Sequence, residues 1–126
     1  MPVPLGVGGA YAYALGMSEQ QSVFLNGKFV HRDEALVSGF DAGFQHGVGL
    51  FETMTARSTP DGIVVRDLDE HLDRLQSSAA TLGLSEELIT GPLGEAVTET
   101  VKRSGLDSAR VRLTLTGGDL NMLQTT

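Results

Sequence analysis

Cysteine is absent from the 126 residues, so neither a disulfide nor a thiolate metal site can form, and the chain suits a reducing compartment such as the cytoplasm. Basic residues are scarce: nine Lys and Arg stand against 16 Asp and Glu, a net charge of -7. That balance repels phosphate backbones and anionic lipid, which argues against nucleic acid as a partner. No apolar run reaches the length of a membrane span, so a soluble protein is expected. The three histidines, His31, His46 and His71, lack metal-ligand spacing, and no metal site is expected. No Lys-Ser or Lys-Thr follows the glycines of Gly43 to Gly49, so this is not a nucleotide-phosphate loop. Gly6-Val-Gly-Gly9 likewise lacks the strand and helix of a dinucleotide fingerprint.

What is present, 40% hydrophobic residues, fits one compact domain that buries roughly two-thirds of its unfolded surface. Residues 1–16 carry small apolar side chains but no basic segment, with Pro2 and Pro4 early, which makes a poor signal peptide. They read as a leader or a cloning remnant, loosely ordered, before a natural-looking polar start at Met17. Residues 17–119 then read as a small α+β domain.

Ser22 to Asn26 and Lys28 to His31 flank Asn26-Gly27, a pair that takes the positive φ angles of a type I′ hairpin turn. Ala35 to Ser38 reads as a short strand, and Gly39 to Gly49 as a glycine-punctuated loop. Leu50 to Arg57 and Ile63 to Arg66 read as strands around Pro60-Asp61-Gly62. Leu68, Leu72, Leu75, Ala79 and Leu82 recur at helical spacing, which predicts a helix over Asp67 to Leu82. Asp67 and Glu70 resemble a capping box at its start, and Gly83 supplies a left-handed stop. A second helical stretch covers Ser85 to Ser104, interrupted near Gly91-Pro92, with Leu93, Ala96, Val97 and Val101 inward. From Ala109 to Thr116 the pattern alternates, with Val111, Leu113 and Leu115 on one face and Arg110, Arg112, Thr114 and Thr116 on the other. Strands, then helices, then a strand indicate an antiparallel sheet with helices packed on it.

The predicted helix places His71, Arg74 and Ser78 along one edge of its apolar stripe. Arg74 there either reaches an anion or lies solvated over the core. Phe51 packs in the core or lines a pocket. Glu52, next on the strand, points to the opposite face and suits a structural ion pair. His71 reads as a packing residue at the helix edge. Arg110 and Arg112 share a face that is either functional or simply wet.

The block Gly47-Val-Gly-Leu-Phe-Glu-Thr53, followed by Arg66-Asp-Leu-Asp-Glu-His-Leu-Asp-Arg-Leu75 and Ser78-Ala79, resembles the class IV (fold-type IV) pyridoxal-phosphate aminotransferases. This family includes branched-chain and D-amino-acid aminotransferases and aminodeoxychorismate lyase. The likeness spans about residues 22–119 and implies the family's small N-terminal domain. It implies that Arg74 grips the phosphate of pyridoxal 5′-phosphate, a contact to which a planar guanidinium is suited. Phe51, Arg110 and Arg112 are implied in the substrate pocket. Many relatives carry an acidic residue at Val48, an aromatic at His46 and an arginine at Ala42. Relatives of the D-amino-acid and lyase type place an arginine at Gly117.

The resemblance also implies a cytoplasmic homodimer acting on amino acids and 2-oxo acids. The cofactor chemistry needs a lysine amine. Lys28 and Lys102 are the only lysines, and neither matches the family's catalytic one, which lies in a larger C-terminal domain. No catalytic residue is therefore assigned to this chain. Residues 120–126 read as the start of an interdomain connection, and the polypeptide is expected to be inactive alone. Elimination of pyruvate from aminodeoxychorismate is the alternative chemistry; a non-catalytic, stand-alone domain is the alternative class.

Overall fold

A computed structural model describes residues 4–15 and 21–120. The polar start expected at Met17 and all but the first residue of the expected connection at 120–126 lie outside the described residues. A single sheet of six strands runs in the order β3-β2-β1-β6-β4-β5, with antiparallel pairing throughout. The strands are β1 (Gly9–Leu15), β2 (Ser22–Leu25), β3 (Lys28–His31), β4 (Gly49–Thr59), β5 (Gly62–Val65) and β6 (Ser108–Thr116). The helices are α1 (Ala42–His46), α2 (Leu68–Thr81) and α3 (Thr90–Ser104). Two of them, α2 and α3, pack on one face of the sheet. None of the described helices is long and apolar enough to cross a membrane.

Period-two alternation decides which side of each strand enters the core. Val111, Leu113 and Leu115 of β6 are fully buried, together with Met54 of β4 and Phe24 of β2. Leu72, Leu75 and Ala79 of α2 and Leu93, Val97 and Val101 of α3 close over them. The expected hairpin is present, with Asn26 at φ 49° and Gly27 at φ 95° between β2 and β3.

Within the expected leader at 1–16, Gly9–Leu15 is not loosely ordered: it forms β1, paired to β2 on one side and to β6 on the other. Ala10, Ala12 and Ala14 are buried beneath α3, while Tyr11 and Tyr13 face the other way. The Ala-Tyr alternation was the signal; alanine contributes so little apolar area that the pattern looks like a low-complexity tail. Just before β1, Leu5 accepts a hydrogen bond from the Ile89 amide at 3.0 Å. Gly8 crosses Gly118 so closely that a Cβ on Gly8 would lie 2.0 Å from the Gly117 carbonyl oxygen, which only glycine permits.

Four local readings also change. Ala35 to Ser38 forms no strand, since it follows a 3-10 turn at Arg32–Glu34 and pairs with nothing. The 39–49 loop contains the short helix α1, started by Asp41, whose carboxylate accepts from the Gly43 amide at 2.8 Å. Asp67 makes no capping hydrogen bond; it sits in the left-handed region at φ 54°, where its side chain cannot serve the first turn of α2. The second helical stretch begins only at Thr90, which puts Pro92 in the first turn, where its missing N–H leaves no helical bond unmade.

The tight floor under α3 is testable at Ala12, which has no exposed surface. Ala12→Leu is expected to lower unfolding free energy by about 1 to 3 kcal/mol, the scale for overpacking a core, measured as a reduced urea midpoint. An unchanged midpoint would show that β1 is not packed as described.

Candidate functional site

Strand parity sorts the candidate residues onto two faces. On β4, Leu50, Glu52, Met54 and Ala56 turn towards the helices, and Phe51, Thr53 and Thr55 turn away. The register places Phe51 opposite Thr114, Thr53 opposite Arg112 and Thr55 opposite Arg110. On its other side β6 sets Tyr13 opposite Arg112 and Tyr11 opposite Thr114. Phe51, Arg110 and Arg112 therefore share the face opposite α2 and α3 with two tyrosines.

The Arg112 guanidinium carbon lies 3.8 Å from the centre of the Phe51 ring, a cation–π contact that fixes both side chains. Phe51 remains 56% exposed, so it is not core packing. The Arg110 side chain is exposed and makes no hydrogen bond or ion pair with the described residues.

One end of this face is closed by α1. Asp41, only 3% exposed, accepts from the Tyr11 hydroxyl and from Thr116 Oγ1, both at 2.9 Å, besides capping α1. Three donors thus satisfy a buried carboxylate that has no cationic partner among the described residues. Burial raises the pKa of Tyr11 above its ordinary value; Asp41 adds to the rise and the Thr116 hydrogen bond opposes it. The Asp41–Tyr11–Thr116 link was not legible in the sequence, because its members are 30 and 75 positions apart. In and beside the segment that holds α1, Leu36, Val37, Phe40, Phe44 and Val48 are each exposed apolar residues.

Arg74 lies on the other side. It reaches Glu52 on the helix-facing side of β4, with Nε donating to Oε2 at 3.0 Å and Nη2 to Oε1 at 2.6 Å. His71 Nδ1 stands 2.6 Å from the same Oε1. A ring nitrogen that close to a carboxylate oxygen carries the proton, so its 3.3 Å approach to Arg74 Nη2 is contact between two donors. His71 is thus hydrogen-bonded into the Glu52–Arg74 cluster rather than a packing residue, a role its place one turn before Arg74 could have signalled. The structure does not bring Arg74 onto one wall with Arg110 and Arg112.

Burial alone would raise the Glu52 carboxyl, yet the hydrogen bonds and charge of Arg74 and His71 hold it below its ordinary value. Arg74 is in turn held more firmly charged by its hydrogen bonds to Glu52.

The two groups meet along one stretch of backbone. β5 pairs with β4 only from Ala56 to Thr59, so no strand of the described residues lies beside Gly49 to Met54 on that edge. Phe51 and Arg112 lie on one side of this free edge, Glu52 and Arg74 on the other. Lys28 is across the sheet at the start of β3 and Lys102 is in the last turn of α3, so neither joins a cluster. A groove of about 680 Å³ between α2 and α3 is lined by Asp69, Asp73, Glu95 and Glu99; its charge disfavours an anionic ligand, and none of the candidate residues lines it.

The pH dependence of Glu52 can be checked directly. A carboxyl with a depressed folded pKa stabilises the fold above its ordinary value of 4.5 and loses that contribution as pH falls through the folded value. Unfolding free energy should therefore drop on acidification below about pH 4.5 by up to about 1.4 kcal/mol per pH unit for this group, and Glu52→Gln should flatten that limb. Identical acid limbs in urea titrations would contradict the assignment.

Comparison with known proteins follows the same geometry. The model of the amino-transferase class IV family matches residues 49–124. A Methanocaldococcus jannaschii protein provisionally named as a branched-chain-amino-acid aminotransferase is 41% identical over 96 residues, 76% of this chain and 32% of that one. The aminodeoxychorismate lyase of Bacillus subtilis is 28% identical over 98 residues, again 76% of this chain and 32% of that protein. Among solved structures, the branched-chain aminotransferase of Thermoproteus uzoniensis with norvaline superposes with a TM-score of 0.67 at 28% identity, covering 83% of this chain and 36% of that one. The chain thus spans about a third of the length of the curated relatives it matches.

Proposed function

The chain belongs to the class IV amino-transferase family, and on that premise we propose that it is the N-terminal portion of a pyridoxal-phosphate aminotransferase, one that moves an amino group between an amino acid and a 2-oxo acid. The observation that carries this reading is the pair of cationic stations on either side of the free β4 edge. A ligand reaching over that edge meets Arg74 on one side and the Arg112–Phe51 stack on the other.

The residues present fit the phosphate of the cofactor. Arg74 has a 65% exposed side chain, and its Nη1 makes no hydrogen bond with the described residues. Phosphate binds an arginine edge through paired, charge-assisted hydrogen bonds. When bound, pyridoxal phosphate supplies the electron sink for bond breaking at the substrate Cα. Phe51 and Arg112 orient the substrate, the ring by stacking and the guanidinium by pairing a carboxylate. The lysine that the chemistry requires lies in a further domain in this proposal, and the chain by itself is inactive. The exposed apolar side chains between Leu36 and Val48 support a homodimer of the complete enzyme, for which a cytoplasmic location is part of the proposal.

Lyase chemistry is the second reading, favoured by the Bacillus subtilis likeness. Gly117 stands against it, having no side chain where lyase-type relatives bring an arginine. Incubating the full-length protein with leucine and 2-oxoglutarate, and separately with aminodeoxychorismate, decides between glutamate and 4-aminobenzoate as product.

Treating the 126-residue chain with pyridoxal phosphate and borohydride should leave Lys28 and Lys102 without stoichiometric label by peptide mapping. Quantitative modification of either would overturn the inactive-portion reading.

Substrate choice follows from Arg110, two residues from Arg112 on the same face. Two guanidinium groups favour a substrate with a carboxylate at each end, since each can pair an otherwise costly buried charge. The full-length enzyme should turn over glutamate or 2-oxoglutarate at least as well as leucine. Arg110→Leu should shift the ratio of specificity constants towards leucine by about 1 to 3 kcal/mol. An unmoved ratio assigns Arg110 to the surface.

A further inference from the structure

We infer that Glu52 and His71 are positioning residues that hold Arg74 with one guanidinium edge locked and the other presented to a phosphate; this rests on the proposal that Arg74 binds such a group. The exposure of the three side chains sets the direction of the argument. Glu52 is 10% exposed, His71 20% and Arg74 65%, so the carboxylate is the buried anchor and the guanidinium the presented end. Glu52 is in turn fixed by β4, whose neighbours Phe51 and Thr53 are registered against β6.

An arginine on an exposed helix flank samples many rotamers, and an anion that binds it must bear the cost of ordering it. Here the side-on pair to Glu52 through Nε and Nη2 removes that freedom in advance. His71 Nδ1 donates to Oε1 and stops the carboxylate turning away. The guanidinium plane is then set, and Nη1 points out from the locked edge. The Glu52 charge opposes anion binding, so a substitution that keeps the charge but shortens the reach isolates the positioning effect.

Glu52→Asp, one methylene shorter, makes that substitution. In the full-length protein, affinities for pyridoxal phosphate and for pyridoxal, which lacks the phosphate, are read by absorbance titration. Glu52→Asp is expected to weaken pyridoxal phosphate binding by about tenfold, the scale for ordering one long side chain at a binding site, and to leave pyridoxal unchanged. Arg74→Ala should weaken it by roughly thirtyfold or more, the scale for losing one partner of a desolvated charge pair. In the 126-residue chain, the Arg74 Nε–H signal by nitrogen-15 NMR should be slow to exchange and should lose that protection in Glu52→Asp.

If Glu52→Asp binds pyridoxal phosphate as the parent does while Arg74→Ala does not, the positioning role is wrong. The same holds if both ligands weaken equally. Should Arg74→Ala bind normally, the phosphate reading itself fails. If Glu52→Asp does not fold, His71→Asn replaces it, with about threefold weakening for pyridoxal phosphate alone expected and no change overturning the inference.

Discussion

The structure depends on the parity of β6. This strand is paired on both sides, so its inward residues, Val111, Leu113 and Leu115, form the middle of the core, and its outward residues are committed to the opposite face. A slip of one residue would bury Arg110 and Arg112 and expose the valine and both leucines, which no packing term could offset. Through the register, the same parity sets Phe51 beneath Arg112 and turns Glu52 to the helices. The core and the candidate site are therefore two faces of one alternation.

Charge placement follows a second constraint. Glu52 is the carboxylate that β4 turns towards the helical layer, and it keeps its charge there because two donors on successive turns of α2 converge on it. By contrast, Glu99–Arg103 and Arg66–Asp67 lie in the solvent, where pairing contributes little. The acidic surface leaves few basic side chains, and of these Arg74 and Arg112 stand on the two sides of one exposed strand edge.

Most of this was written in periodicity. The leucine spacing of α2, the Asn26-Gly27 turn and the strict alternation of β6 each specify an element locally, and the structure contains all three. Elements that depend on partners were not legible. β1 has an Ala-Tyr alternation whose meaning comes only from the close approach of α3, and α1 is too short for any helical period. Asp67 has the right residue type for a cap but the wrong backbone angle, which is set by the chain leaving β5. Within the site, Phe51, Glu52 and Arg74 could be singled out by motif resemblance. The separation of Arg74 from Arg112 across the sheet follows from register, and the Asp41–Tyr11–Thr116 link joins residues that only the finished fold brings together.

The crossing of Gly8 and Gly118 and the pairing of β1 with β6 join the two ends of the described chain, segments roughly a hundred residues apart. Such distant closure carries a high contact order and is entropically late. The β2–β3 hairpin and the β4–β5 hairpin can form from local contacts, but the sheet remains two halves until the last strand has been synthesised. During that interval the edges of β1 and β4 that β6 will occupy are unpaired, able to capture strands of other chains. The joining of the two halves is thus also the step at which assembly on the ribosome is most open to error, and the alanines of β1, of low intrinsic β-propensity, limit how readily that strand pairs elsewhere.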